Sequence, residues 1–303
     1  MNTTNMSLEL KLIPGIVTLA SGSGGFPLLR VRNEHAECDI YPYGAHIVGF
    51  KPRNGEELLW VSPYGNYEKG KPIRGGVPVC FPWFGPHSAK PELPLHGFAR
   101  IREWDVESIR MLPDGSTRLV FALADDEASR AMWPYSFRVE YAITVGKKLE
   151  LELSIENTGT EPFECVEGFH TYFRVGNPAR CEVSGLDGVS YIDRANGNTR
   201  AVQAGILKLT RETVNAYMHA PTLCALKDFQ AGRIIKVEQE GMHSTVVWNP
   251  WESTGLKTPE IRETWDQFLC VESFNCLDCS LTVASKTKHR SVVKYGLEGL
   301  SPK

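Results

Sequence analysis

From residue 137 to residue 156 the chain alternates apolar and polar residues almost without interruption. Phe137, Val139, Tyr141, Ile143 and Val145 are separated by polar or small residues, and Gly146-Lys147-Lys148 makes a turn. Leu149, Leu151, Leu153 and Ile155 then alternate with Glu150, Glu152, Ser154 and Glu156. A helix has a period of 3.6 and would scatter these residues around its axis, whereas a strand puts every second one on the same side. The stretch is expected to be a long antiparallel hairpin with one packed face and one wet face.

The rest of the chain reads the same way. Strand-like runs fall at 28–32, 36–41, 45–51 and 57–61, with turns at Asn33-Glu34 and Arg53-Asn54-Gly55. Others fall at 104–110, 117–124, 163–173, 181–183, 189–192, 205–209, 223–227, 233–240 and 244–248, then 268–273, 281–284 and 291–295. Residues 1–27, with the cluster Ser21-Gly22-Ser23-Gly24-Gly25, read as a loose entry. Helical periodicity is confined to two turns at 125–133 and one at 259–265, where Pro259 opens the turn. This density of strands predicts an all-β chain, a large antiparallel β-sandwich with few short helices. With no repeat and no linker, one domain over residues 1–303 is expected.

Charge and composition narrow the function. A net charge of −3 gives no footprint for nucleic acid or an anionic membrane surface. No run of about 18 apolar residues marks a transmembrane helix, and the first residues lack the basic start and apolar core of a signal peptide. The cytosol is the expected compartment, and the eight cysteines are expected to be reduced. Cys276 and Cys279 form a lone C-x-x-C with no second ligand pair for zinc, entering a strand instead of a helix, so the spacing reads as chance.

Residues 71–102 carry a different signal. From Lys69 to Arg102 there are six basic residues, Lys69, Lys71, Arg74, Lys90, Arg100 and Arg102, and one acid, Glu92. Pro72, Pro78, Pro82, Pro86, Pro91 and Pro94 rule out a regular helix. Gly75-Gly76 and His96-Gly97 allow backbone conformations closed to most residues. The segment reads as a rigid loop that brings Arg74, Arg100 and His96 to one rim, suited to a small anionic ligand. The alternative is a proline-stiffened surface loop with solvated charges.

Two further segments carry titratable groups. If 163–173 is one strand, Glu167, Phe169, Thr171 and Phe173 share one face, and Val166, Gly168, His170 and Tyr172 the other. Gly168 would then leave room for a ligand beside His170. In Phe268-Leu269-Cys270-Val271-Glu272-Ser273-Phe274 one carboxylate interrupts an apolar strand. Burial would raise its pKa and make it a stronger base. Together His170 and Glu272 suggest an acid–base pair acting on an uncharged group. Packed-core histidine and a strand-end glutamate are the plainer readings. Trp83, Phe84, Tyr172, Trp248 and Trp251 are candidate platforms for the apolar face of a sugar, and Asn249 is a hydrogen-bonding candidate.

IRGGVPVCFPWFG, HGFAR, FHTYF, TVVWNPW and FLCVES, in this order, resemble the hexose-6-phosphate 1-epimerases, a branch of the aldose 1-epimerase (galactose mutarotase) family, over about 41–295. The resemblance implies a galactose mutarotase-like sandwich that interconverts the α and β anomers of a hexose 6-phosphate, glucose 6-phosphate foremost. It implies Glu272 as general base on the C1 hydroxyl and His170 as general acid on the ring oxygen. Arg74 and Arg100 are implied as phosphate contacts, and His96 as a sugar-binding residue. No metal and no cofactor are implied, and the expected partner is a small phosphosugar bound by a monomer.

Two positions depart from the family pattern. Leu95 stands where Gln commonly precedes the His-Gly, and Val214 where an aspartate is common; Asn215 and Glu212 are the candidates to substitute. An altered, non-phosphorylated sugar preference, or carbohydrate binding without turnover, is the alternative. A glycosidase pairing Glu272 with Glu167 or Asp193 is a further reading, and it would need two carboxyls about 5–10 Å apart.

Overall fold

The structure is a computed structural model and describes residues 8–300. The expectation of a loose entry falls partly on residues outside that range. Within it, every ladder between strands is antiparallel.

The alternating hairpin forms as the period requires. Phe137–Val145 pairs with Leu149–Asn157 in unbroken register from Phe137 opposite Asn157 to Val145 opposite Leu149. Val139, Tyr141, Ile143, Leu151 and Leu153 are fully buried, each contributing about 1.5–3 kcal/mol of apolar burial. The outer face carries ion pairs, among them Arg118 with Glu152 and Lys294 with Glu150. This hairpin sits inside an eight-stranded sheet that also contains Lys288–Gly299 on one side and Thr117–Ala124 on the other.

A second eight-stranded sheet holds the candidate residues. Its main path runs Thr199–Val202, Ser190–Asp193, Thr213–Met218, Ser244–Asn249, Phe268–Asn275, Glu167–Phe169 and Val79–Cys80, and Tyr172–Arg174 also pairs with Phe268–Asn275. One side of this sheet, with Phe169, Tyr217, Val247 and Val271, faces a core shared with the other large sheet and with the four-stranded sheet Val17–Ser21, Pro27–Arg32, Ala36–Tyr41 and His46–Pro52. The other side carries a smaller apolar cluster around Phe274, Val246 and Ala216.

Several expectations need correction. Residues 163–173 are not one strand but three, Phe163–Cys165, Glu167–Phe169 and Tyr172–Arg174. His170 falls in a gap, where its backbone N–H donates to Pro78 O at 3.0 Å and continues the register of Gly168 opposite Cys80 and Phe169 opposite Val79. The strand Val17–Ser21 lies in what was read as a loose entry. Residues 57–61 and 205–209 make only isolated bridges, Leu59 with Phe173, Val61 with Gly75 and Leu207 with Val183. The helix expected at 125–133 is present at Glu127–Met132, closed by a capping box from Asp126 and Ser129. A short helix at Trp251–Gly255 and a 3-10 turn at Arg262–Gln267 take the place of the single turn expected at 259–265.

Candidate active site

Strand pairing decides which side chains meet. Glu167 lies opposite Asn275, Gly168 opposite Phe274 and Phe169 opposite Ser273; past the gap, Tyr172 lies opposite Cys270. The register is the same on both sides of the gap, so His170 falls level with Glu272. Directly opposed residues share a face. Glu272, Phe274, Cys270, Gly168, His170 and Tyr172 therefore lie on the side turned away from the main core. His170 Nδ1 and Glu272 Oε1 are 3.3 Å apart, with the Glu272 side chain 1 % exposed.

Neither group is satisfied by that contact. His170 Nδ1 and Glu272 Oε2 have no hydrogen-bond partner, although buried polar atoms normally find one. Burial raises the Glu272 carboxyl well above its usual range, against the opposing pull of Arg100 and Arg194. Burial, with Arg100 and Arg74, holds His170 well below the usual imidazole value. The pair is thus most stable sharing a single proton, a state from which one group can accept a proton while the other donates.

Tyr172 stacks on the His170 ring at 4.8 Å between centroids, and Trp248 meets it edge-on at 5.4 Å. Arg74 Nη1 donates to Tyr172 Oη at 3.1 Å. His96 lies edge-on to His170 at 5.5 Å. Its Nδ1 accepts from the Gly85 N–H at 3.1 Å while the His96 backbone N–H donates to Gly85 O at 2.8 Å. Burial, then Arg100 and the other cations, hold His96 neutral, so its remaining proton sits on Nε2 as a donor.

The proline-rich segment positions these groups through close backbone packing. A Cβ on Gly76, at φ +64, would stand 2.1 Å from Ile47 O, and one on Gly97, at φ +78, would stand 2.0 Å from Phe81 O. Only glycine fits either position. His46, fully buried and pushed down to about 4 by burial and by Arg100, holds Gly75 O through Nε2 at 2.7 Å.

The expected rim is only partly a rim. Arg74 and His96 are half-buried at the cleft, whereas Arg100 is 6 % exposed and lies deeper, its Nη2 donating to Leu95 O at 2.7 Å. The Leu95 contribution to that bond is a backbone carbonyl, and its side chain is 49 % exposed. Among the described residues neither arginine forms an ion pair.

Other expectations fail for local reasons. The space beside Gly168 is not open to a ligand: a Cβ there would stand 2.0 Å from Phe274 Cδ1, so the ring fills it. Asn249 is a strut, fully buried and donating to Trp265 O and Phe268 O, both at 2.8 Å. Its neighbour Trp248 is the residue that walls the site. Trp83 donates to Pro94 O and packs on Phe98, and Trp251 packs on Trp265, leaving both away from the pair. Asn215 points to the opposite side of the sheet, toward Tyr217, and Glu212 accepts from Thr254 at 2.6 Å, so neither replaces an aspartate at Val214. Glu167 and Asp193 also face away from Glu272, held by Asn275 and Arg211 respectively, which removes the carboxylate pair a glycosidase needs.

One residue escaped sequence reading. Arg194 follows Ser190–Asp193, and its N–H donates to Val214 O at 2.9 Å. Its guanidinium carbon lies 4.9 Å from the centroid of the Phe84 ring. Alternation with Ile192, opposite Ala216, puts it on the face of Glu272, but no sequence pattern reveals which strand Ser190–Asp193 joins.

His170, Cys270 and Glu272 could each offer an atom to a metal, all within 4.8 Å of one another. Arg74 and Arg100 act on His170, and Arg100 and Arg194 on Glu272. Such a concentration of positive charge favours an anion over a cation. A separate cavity of about 1060 Å³, lined by Lys11, Phe26, Tyr67 and Trp104 among others, contains none of these residues.

Comparison with known proteins identifies the family. Residues 27–296 match the family model described as aldose 1-epimerase. A protein of Escherichia coli strain K12 named "Putative glucose-6-phosphate 1-epimerase" is 35% identical over 264 residues, covering 86% of this chain and 87% of that protein. A protein of Cenchrus ciliaris with the same name is 32% identical over 267 residues, covering 85% and 80%. The crystal structure of a "putative mutarotase" from Salmonella typhimurium superposes with a TM-score of 0.88 at 27% identity, over 98% of this chain and 100% of that one. The chain belongs to the aldose 1-epimerase family, and the activity this family supports is interconversion of the anomers of a sugar.

Proposed function

We propose that the protein interconverts the α and β anomers of a hexose 6-phosphate, with glucose 6-phosphate the leading substrate. The observation that carries this reading is the His170–Glu272 contact at 3.3 Å, bordered by two arginines without acidic partners. A pyranose is an uncharged hemiacetal, and opening it requires one proton to leave the C1 hydroxyl while another arrives at the ring oxygen. Both oxygens are bonded to the same carbon, so a base and an acid on adjacent strands can reach them together.

Glu272 as carboxylate takes the proton from the C1 hydroxyl, and His170 as imidazolium gives one to the ring oxygen. The C1–O5 bond breaks, an aldehyde forms at C1, and rotation about C1–C2 presents its other face. On closure Glu272 returns a proton to the new C1 hydroxyl and His170 removes the hydroxyl proton as the ring oxygen attacks. The pair keeps one proton through the cycle; burial favours the neutral form with that proton on Glu272, so it passes to His170 across the 3.3 Å contact before each ring opening. Arg74 at the rim and Arg100 behind it suit the charge of the phosphate. His96 Nε2–H is placed as a donor to the sugar, and Trp248 and Tyr172 offer apolar walls.

The test is polarimetry of freshly dissolved α-glucose 6-phosphate with and without the protein. Acceleration well beyond the spontaneous rate is expected. A rate unchanged by protein, with sugar bound, would make it a binding protein on the same fold.

A further inference from the structure

The cleft has a cation that the phosphate does not need. Arg194 lies on the same sheet face as Glu272 but enters from the opposite edge to Arg74. The contacts run in series: the Arg194 guanidinium over Phe84, Phe84 edge-on to His96 at 5.0 Å, His96 to His170, Tyr172 on His170, and Arg74 on Tyr172. Arg74 and Arg194 thus bracket the His170–Glu272 pair. The Arg194 Nη2 lies 3.4 Å from the point where a Cβ on Gly85 would stand, which puts the guanidinium within van der Waals reach of the loop. Among the described residues Arg194 has no ion-pair partner, although Arg200 in the same sheet and Arg211 just before the strand Thr213–Met218 are paired with Asp278 and Asp193.

Direction decides what such a group can hold. In a pyranose C6 is attached beside the ring oxygen, and C2 and C3 lie on the other side of C1. A sugar with its ring oxygen at His170 and its C1 hydroxyl at Glu272 therefore sends its phosphate toward Arg74 and its C2 and C3 hydroxyls toward Arg194. Val214 borders Arg194 through the backbone bond already described and offers no polar side-chain group. A guanidinium has five donors and no acceptor, and hydroxyl oxygens have lone pairs to receive them.

We propose that Arg194 is a substrate-contacting, specificity-determining residue that binds the C2 and C3 hydroxyls of the hexose at the end of the cleft remote from the phosphate. This rests on the anomerase reading above. The same guanidinium has a second effect. Glu272 is faced by His170, Cys80, Cys270, Cys276 and Arg100 besides Arg194, with Tyr295 behind it on the core side of the sheet, and of these the two arginines oppose the effect of burial. Loss of Arg194 raises the proton affinity of the catalytic pair.

The experiment compares Arg194→Met and Arg194→Lys with the wild type, using α-glucose 6-phosphate and α-glucose across a pH series. Arg194→Met is expected to lower kcat/KM by about tenfold for both sugars alike, with both limbs of its pH profile moved to higher pH. Arg194→Lys, keeping the charge, is expected to leave the limbs in place and recover part of the loss. Thermal melts confirm that each variant is folded. Unchanged kinetics in a folded Arg194→Met, or a loss confined to glucose 6-phosphate, overturns the proposal while leaving the anomerase reading intact. If the wild type accelerates neither sugar, that reading falls first. Arg194 is then decided by calorimetric titration with glucose 6-phosphate, where equal affinity in wild type and Arg194→Met overturns it.

Discussion

His170 and Glu272 stand level with each other, Nδ1 to Oε1 at 3.3 Å, because the pairing register is the same on both sides of the gap in which the histidine lies. The His170 N–H donates to Pro78 O at 3.0 Å, the next position after Gly168 opposite Cys80 and Phe169 opposite Val79, so the proline-rich segment holds the histidine from its other side. The acid–base reading depends on that shared register.

Glu272→Gln keeps the shape of the side chain and removes its proton exchange. Turnover is expected to fall by about 10²–10⁴-fold, with the melting temperature held or raised, since a buried ionisable group is replaced by a neutral one. Polarimetry and a thermal melt on the same preparation check both parts. Turnover near the wild-type rate removes Glu272 from the chemistry.

Arg74→Ala separates phosphate binding from sugar binding. Loss of a charge-assisted contact of about 1.5–3 kcal/mol raises KM for glucose 6-phosphate by roughly ten- to a hundredfold. KM for glucose is expected to change little. Equal losses for the two sugars would mean that Arg74 only props Tyr172.

The pH profile follows from the two opposed shifts. Burial holds His170 well below the ordinary imidazole value and Glu272 well above the ordinary carboxylate value. Below the lower transition the pair gains a second proton and loses its base; above the upper one it loses its last proton and has no acid. A plateau in kcat/KM between the two is the expected result. A profile following a single group of ordinary carboxylate pKa would contradict the shared-proton description.

Glu167, fully buried on the reverse face, lies 3.0 Å from His289 Nε2 and accepts from Asn275 Nδ2 at 2.8 Å. The hydrogen bond to Glu167 raises the His289 pKa. A raised folded-state value means the stabilisation is fully present below the unfolded value of 6.5 and is lost as pH rises through the folded one. Wild-type stability should decline across that window, and His289→Gln should flatten the decline. Below it, His289→Gln is expected to cost on the order of 3 kcal/mol, because it leaves a buried carboxylate without its cation. Urea melts at several pH values measure both, and a parallel pH dependence in the two proteins refutes the assignment.

Gly168→Ala forces a methyl into the Phe274 ring, with 2.0 Å between the new carbon and Phe274 Cδ1. Overpacking of this kind costs about 1–3 kcal/mol. Phe274 edges against Phe84 at 5.0 Å, and Phe84 against His96, so activity is expected to fall with stability. A variant that is fully active and fully stable shows that Phe274 moves freely.

The candidate site residues were visible because each breaks the pattern around it. Glu272 is an acid among Phe268, Leu269, Cys270 and Val271, and Arg74 precedes two glycines. Asn249 and Trp248 could not be sorted in the same way. Adjacent positions on a strand point to opposite sides, and the cleft side depends on which strands flank them. Arg194 was invisible for the same reason, since a strand of four residues followed by a turn does not announce its neighbours.

The sequence by itself determined the all-β class, the central hairpin and the candidacy of His170 and Glu272 as an acid–base pair, because two-residue periodicity and misplaced polar groups are local properties of a chain. Only the tertiary structure decided that the 163–173 run is broken, that Phe274 fills the space at Gly168, and that Arg100 lies beneath the cleft while Arg194 borders it. Those outcomes depend on register and close packing between segments far apart in the chain. Neither is encoded in any one of those segments alone.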